Sequence, residues 1–180
     1  TTSISSGIIQ ATGITSASAE ITNLNVTTST IATLRNTNVI ATNITTGKLI
    51  LNSTEIALGS SAGNTLQGTN AVAIGTEAGQ ISQRNYSIAL GNGAGQTSQG
   101  ITTDIEFEGG HAIALGTAAG QTSQNEYAIA LGQYAGNINQ QSSAISIGKG
   151  SGYSSQGQGA VAIGSEAART NQGYLAIAIG

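Results

Sequence analysis

The chain has 180 residues, 26 of them Gly, with no Pro, Cys, Met or Trp, 7% charged residues and a net charge of −3. This composition excludes disulfide frameworks, thiolate metal sites and cysteine nucleophiles, shows no basic footprint for nucleic acid or an anionic membrane, and leaves a single His for any metal or catalytic dyad. No apolar run is long enough to span a bilayer, the absence of Met even at position 1 reads as a fragment or processed product, and 38% hydrophobic residues at low net charge predict an ordered chain.

Residues 1–55 are rich in Thr, Ser and Asn, which favour strands and turns over helix interiors. Every fifth residue from Ile4 tends to be apolar (Ile9, Ile14, Leu24, Leu34, Val39, Ile44, Leu49), and pairs such as Leu24/Val26 and Leu49/Leu51 keep strand alternation. The stretch is expected to form a slender β-type stalk. The alternative is a coiled coil, since Ile14, Ala17, Ile21, Leu24, Thr28 and Ile31 fit a/d spacing, although that register carries Arg35 and Asn38 into the seam.

From residue 56 the chain repeats. The blocks Ile56-Ala-Leu-Gly59, Val72-Ala-Ile-Gly75, Ile88-Ala-Leu-Gly91, Ile113-Ala-Leu-Gly116, Ile129-Ala-Leu-Gly132, Ile145-Ser-Ile-Gly148, Val161-Ala-Ile-Gly164 and Ile177-Ala-Ile-Gly180 close on glycines spaced 16, 16, 25, 16, 16, 16 and 16 residues apart. Four residues after each closing glycine stands another (Gly63, Gly79, Gly95, Gly120, Gly136, Gly152), replaced once by Ala168. Eight residues after it stands Gln without exception: Gln67, Gln83, Gln99, Gln124, Gln140, Gln156 and Gln172. A unit of 16 residues is too short for a helical repeat, and large residues two apart bounded by Gly mark a strand. Residues 56–180 are therefore expected to be all-β, a parallel β-roll or β-solenoid with one coil per repeat. Its coils would stack about 4.8 Å apart into a rod of roughly 34 Å. Equivalent positions then form columns, and the Gln column is expected to be a structural ladder of stacked amides.

Strand alternation sets Ile129 and Leu131 on one face and Ala128 and Ala130 on the other, and every repeat carries Ala or Ser on that second face. A sixteen-residue coil was expected to enclose its Ile and Leu and to present the flat alanine face to a neighbouring chain. Ordering the backbone costs about 1–2 kcal/mol per residue, so burial between chains is the natural supplement to so small a core. The expected assembly is a parallel homotrimer.

The array is broken once, at about 100–110, by a nine-residue insertion between Gln99 and His111 that holds Asp104, Glu106, Phe107 and Glu108. In a strand the three carboxylates would share one face. They form a possible partner-contact surface and a weak metal candidate, because hard cations take oxygen ligands and a trimer brings three copies together, but they match no calcium-loop motif. The simpler reading is a solvated acidic hairpin. His111 falls in a column with Asn70, Tyr86, Tyr127, Ser143 and Gly159, whose polarity marks a surface edge, and the five tyrosines are expected at coil corners. Gly91-Asn-Gly93-Ala-Gly95 resembles a phosphate loop only out of context, since neither a helix nor a Lys follows. Four Asn-x-Ser/Thr sequons, at Asn25, Asn43, Asn52 and Asn85, are about what composition yields by chance. No nucleophile–base set is present, so no enzyme and no cofactor is expected.

Asn70-Ala-Val-Ala-Ile-Gly75 and Tyr127-Ala-Ile-Ala-Leu-Gly132 resemble the head repeats of YadA-like trimeric autotransporter adhesins, over residues 55–180. The unit is longer here, with the added glycine and Gln columns. The form Ala-Ile-Ala-Leu-Gly-x-x-Ala-Gly-Gln-Thr-Ser-Gln is more similar to repeats in the fibres of large DNA viruses and phage tails. The resemblance implies an extracellular, non-enzymatic trimeric fibre on a virion or cell surface, with itself as first partner and a host receptor or other surface proteins as further partners. The alternatives are a bacterial adhesin head with a host ligand and, more remotely, an ice-binding solenoid. The last needs an unbroken Thr column, and Thr65, Thr97, Thr122 and Thr170 are interrupted by Ile81, Ile138 and Ser154.

Overall fold

The structure is a computed structural model that describes residues 54–102 and 109–180. The proposed stalk and Asp104, Glu106, Phe107 and Glu108 lie outside the described residues. In chain order the strands are β1 (Ile56–Leu58), β2 (Val72–Ile74), β3 (Ile81–Gln83), β4 (Ile88–Leu90), β5 (Thr97–Ile101), β6 (Ile113–Leu115), β7 (Thr122–Asn125), β8 (Ile129–Leu131), β9 (Ile138–Gln140), β10 (Ile145–Ile147), β11 (Ser154–Gln156), β12 (Val161–Ile163), β13 (Thr170–Gln172) and β14 (Ile177–Ile179). They form two parallel sheets. The Ile-Ala-Leu blocks make an eight-stranded sheet in the order β1-β2-β4-β6-β8-β10-β12-β14, and the blocks ending in Gln make a six-stranded sheet in the order β13-β11-β9-β7-β5-β3. The result is a parallel β-solenoid of about seven turns, without a helix among the described residues.

Register follows the repeat. Ile129 pairs with Ile145, Ala130 with Ser146 and Leu131 with Ile147, each one coil on. Across the insertion the register is kept, with Ile88 opposite Ile113 and Leu90 opposite Leu115. The extra residues leave and rejoin at one corner, where Gly110 N–H donates to Gly100 O at 2.8 Å. The coil path is thereby closed between Gly100 and Gly110.

The faces are reversed from the expectation. Ala73, Ala89, Ala114, Ala130 and Ala162 are fully buried inside the coil, as are Ala71, Ala112, Ala128, Ala144 and Ala160 just before the strands and Ala78, Ala94, Ala119 and Ala135 beyond the closing glycines. Ile88, Leu90, Leu115, Leu131 and Ile163 point outward and are 37–39% exposed. The alanine face is therefore not the surface offered to another chain; it is the interior. The cause is the narrowness of the coil. Between two sheets this close the buried places are filled by Ala, Ser and one Gln per turn, joined in one coil by Asn137.

Tight corners impose the narrowness. In the coil from Gly132, positive φ occurs at Gly132 itself, Tyr134, Gly136, Asn139 and Ser143. Glycine is obligatory at the closing position. A Cβ on Gly132, at φ +127, would lie 2.8 Å from the Gly148 carbonyl carbon and oxygen of the next coil. Gly132→Ala is expected to cost at least about 3 kcal/mol, combining left-handed strain with backbone overlap, and a thermal melt would register it. The fourth position after it is more tolerant at the end of the array, where Ala168 holds φ +45. Ala168→Gly is expected to stabilise by about 1 kcal/mol, measured by urea unfolding, because glycine carries no Cβ penalty in that region.

Candidate functional site

The interior of the solenoid is organised by the Gln column. Gln83, Gln99, Gln124, Gln140 and Gln156 are fully buried and are the largest side chains that are. Each amide reaches across the coil to the facing strand: Gln124 Nε2 donates to Ile113 O at 2.9 Å and to Ala128 O at 3.3 Å. Each also donates to the next coil, Gln83 to Gln99 Oε1 at 3.0 Å, Gln99 to Gln124 at 3.1 Å, Gln124 to Gln140 at 3.0 Å, Gln140 to Gln156 at 3.1 Å and Gln156 to Gln172 at 3.1 Å. The ladder thus joins sheet to sheet and coil to coil, and its amides all point the same way. Gln67 stands apart. It donates to Ile56 O and Ala71 O, and no donor among the described residues reaches Gln83 Oε1.

A second amide column escaped the sequence reading. Gln96 Nε2 donates to Gln80 Oε1 at 3.3 Å, Gln121 Nε2 to Gln96 Oε1 at 2.9 Å and Asn137 Nδ2 to Gln121 Oε1 at 3.2 Å. The column was visible in the chain as an amide five residues after the closing glycine, at Asn64, Gln80, Gln96, Gln121 and Asn137. Its mixture of Asn with Gln, and its replacement by Tyr153 and Arg169 in the last two coils, concealed it.

The outer face of the eight-stranded sheet is the largest feature available to a partner. It carries two columns of aliphatic side chains, Ile or Val at the first strand position and Leu or Ile at the third, with no charged residue between them. Its sixteen side chains, about a third or more exposed on average, present on the order of 1,000 Å² of apolar surface, where the largest patch on an ordinary monomer is about 300–600 Å². The opposite sheet is more polar outside. Its outward column runs Ile81, Thr97, Thr122, Ile138, Ser154 and Thr170 in register, so isoleucines interrupt the threonines there as in the sequence.

No protein-family model, curated protein or solved structure matches the chain. The chemistry of its surfaces therefore carries the functional reading.

Aromatic residues gather at the corners. His111 is exposed and lies between two tyrosines, with ring centroids 4.9 Å from Tyr86 and 5.4 Å from Tyr127 and planes within 9° of parallel. A separate cluster forms where Tyr134 meets Tyr153 edge-on at 6.3 Å and Arg169 lies over the Tyr153 ring while pairing with Glu166. Among the described residues, no three His, Cys, Asp or Glu side chains lie close enough to hold a metal ion. At the Asn85 sequon, Ser87 is fully buried, with its Oγ accepting from Ala112 N–H.

Proposed function

We propose that this chain is the repeat segment of a non-enzymatic, homotrimeric structural fibre of the virion or phage-tail type, extracellular, projecting from or decorating a particle surface and available for attachment to a host receptor. The supporting observation is the outward aliphatic face. Two unbroken columns of Ile, Val and Leu along eight parallel strands are costly to leave in water at about 25 cal/mol per Å². A face on the order of 1,000 Å² is what one partner contributes to a stable interface. Because all the strands are parallel and identical columns repeat at each coil, copies packed around an axis along the rod would meet column to column. Such an assembly supplies the apolar core that the Ala- and Gln-filled coil lacks, and the alanine interior makes each protomer slender enough for three to share that axis. Scarce charge and absent Cys suit a rigid, redox-insensitive rod.

Light scattering with a circular dichroism spectrum on the same sample tests the reading. Three times the 17.8 kDa chain mass with a β spectrum is the expected result. A folded monomer overturns it.

A further inference from the structure

We propose that the Tyr86–His111–Tyr127 stack is a recognition site for a neutral pyranose ring, seated on the outward face of Tyr127 above Ser143. The inference is independent of the fibre reading. Three consecutive coils place an aromatic residue at a corner where φ is +57 to +58. A non-glycine side chain in the left-handed region is strained relative to the right-handed one. Asn70 and Gly159 show that cheaper residues occupy the same column elsewhere. The rings add nothing to the core, since Tyr86 and Tyr127 are 51% and 53% exposed. Stacking between the rings offsets part of that strain, but leaves the exposed aromatic surface itself unexplained by stability.

The stack stops where the column becomes small. Beyond Tyr127 come Ser143 and Gly159, and then Leu175, whose methyl would lie 2.6 Å from a Cβ on Gly159. Leu175 therefore leans over the Gly159 corner, and between Tyr127 and Leu175 the column holds only Ser143 and Gly159. At about 4.8 Å per coil, the distance from Tyr127 to Leu175 along the column is roughly 14 Å. The neighbouring corner residues, Glu126, Ser142 and Gln158, are polar. An exposed ring face on a corner whose preceding residues are polar matches a sugar, whose C–H face stacks on the ring while its hydroxyls meet polar groups. Glu126 and the net charge of −3 disfavour acidic sugars and favour neutral ones.

The test is NMR titration of the full chain with methyl β-D-galactopyranoside and methyl β-D-glucopyranoside. Saturable shifts of the Tyr127 and Ser143 resonances are expected for at least one, with a Kd on the order of 10 mM for a single aromatic face. Tyr127→Ala should weaken binding at least tenfold, Tyr127→Phe should change it less than threefold, and Tyr134→Ala should leave it unchanged. Ser143→Tyr, which covers the outward face of Tyr127 at a corner conformation that already holds tyrosine, should abolish binding while keeping the β spectrum. The proposal is overturned if neither sugar saturates, if Tyr127→Ala or Ser143→Tyr binds like the parent, or if adenosine binds at that position in preference to both sugars.

Discussion

Gln124→Met is expected to destabilise the solenoid by about 3–5 kcal/mol and to split its unfolding into two steps. Methionine matches glutamine in length and shape, so the loss is electrostatic. The substitution leaves Ile113 O and Ala128 O without the amide that meets them, removes the Oε1 that accepts from Gln99 and deprives Gln140 Oε1 of its donor. Each buried group left unpaired costs about 1–3 kcal/mol, partly offset where a partner retains another bond, as Gln99 does to Ile88 O and as Ala128 O does from Ile113 N–H at 2.9 Å. Because a solenoid is held by nearest-neighbour interfaces, a break at the central coil separates the coils before it from those after it. Urea denaturation followed by circular dichroism would show the lower midpoint and a broadened transition. Gln141→Met serves as the comparison, since Gln141 is exposed and only accepts from Asn125 at 3.3 Å, and it is expected to stay within about 0.5 kcal/mol of the parent. A Gln124→Met protein with the parent's midpoint and slope would mean that the ladder is a consequence of stacking and not a cause of it.

The double substitution Leu131→Glu with Ile147→Glu is expected to convert the proposed trimer to monomers of 17.8 kDa while leaving the β spectrum in place. These two residues are adjacent in one outward column. Inside an interface their carboxylates would be unpaired and close together in every protomer, a cost of several kcal/mol per chain; in a monomer they point into water. Ala130→Leu makes the converse change. Ala130 is fully buried, so three added carbons would press against the neighbouring coil interior, and the variant should lose its cooperative melt regardless of oligomeric state. If the glutamate pair stays assembled while Ala130→Leu is tolerated, both the inside-out arrangement and the proposed interface fail together.

These two contrasts separate what was legible in the chain from what was not. The period of sixteen, the two strands per coil, the Gln column and the corner glycines could all be read from spacing, because a stacked array places every residue above its own equivalent. The outward placement of His111 and the tyrosines at coil corners was also legible, from the varied, polar character of the His111 column. The stacking of three rings was not. It depends on Gly100 and Gly110 meeting through a hydrogen bond at 2.8 Å, so that residues 25 apart at Tyr86 and His111 become neighbours one coil apart.

Alternation alone established that Ile129 and Leu131 share one face of a strand and Ala128 and Ala130 the other; it contains nothing about which face turns inward. Assigning the larger apolar residues to the core is sound when the space between sheets is wide enough to hold them. Here five positive-φ corner positions per coil bring the sheets so close that a Cβ on Gly136 would lie 2.5 Å from Gln140 Oε1. A buried column that is always Gln was the available warning, since an amide is retained inside only where carbonyls on both sides can receive it. The chain's repeat thus determined its register, its columns and its length. The closure of the coil decided inside from outside, because the interior width is set by backbone turns and admits methyl groups, hydroxyls and amides in place of the larger aliphatic side chains.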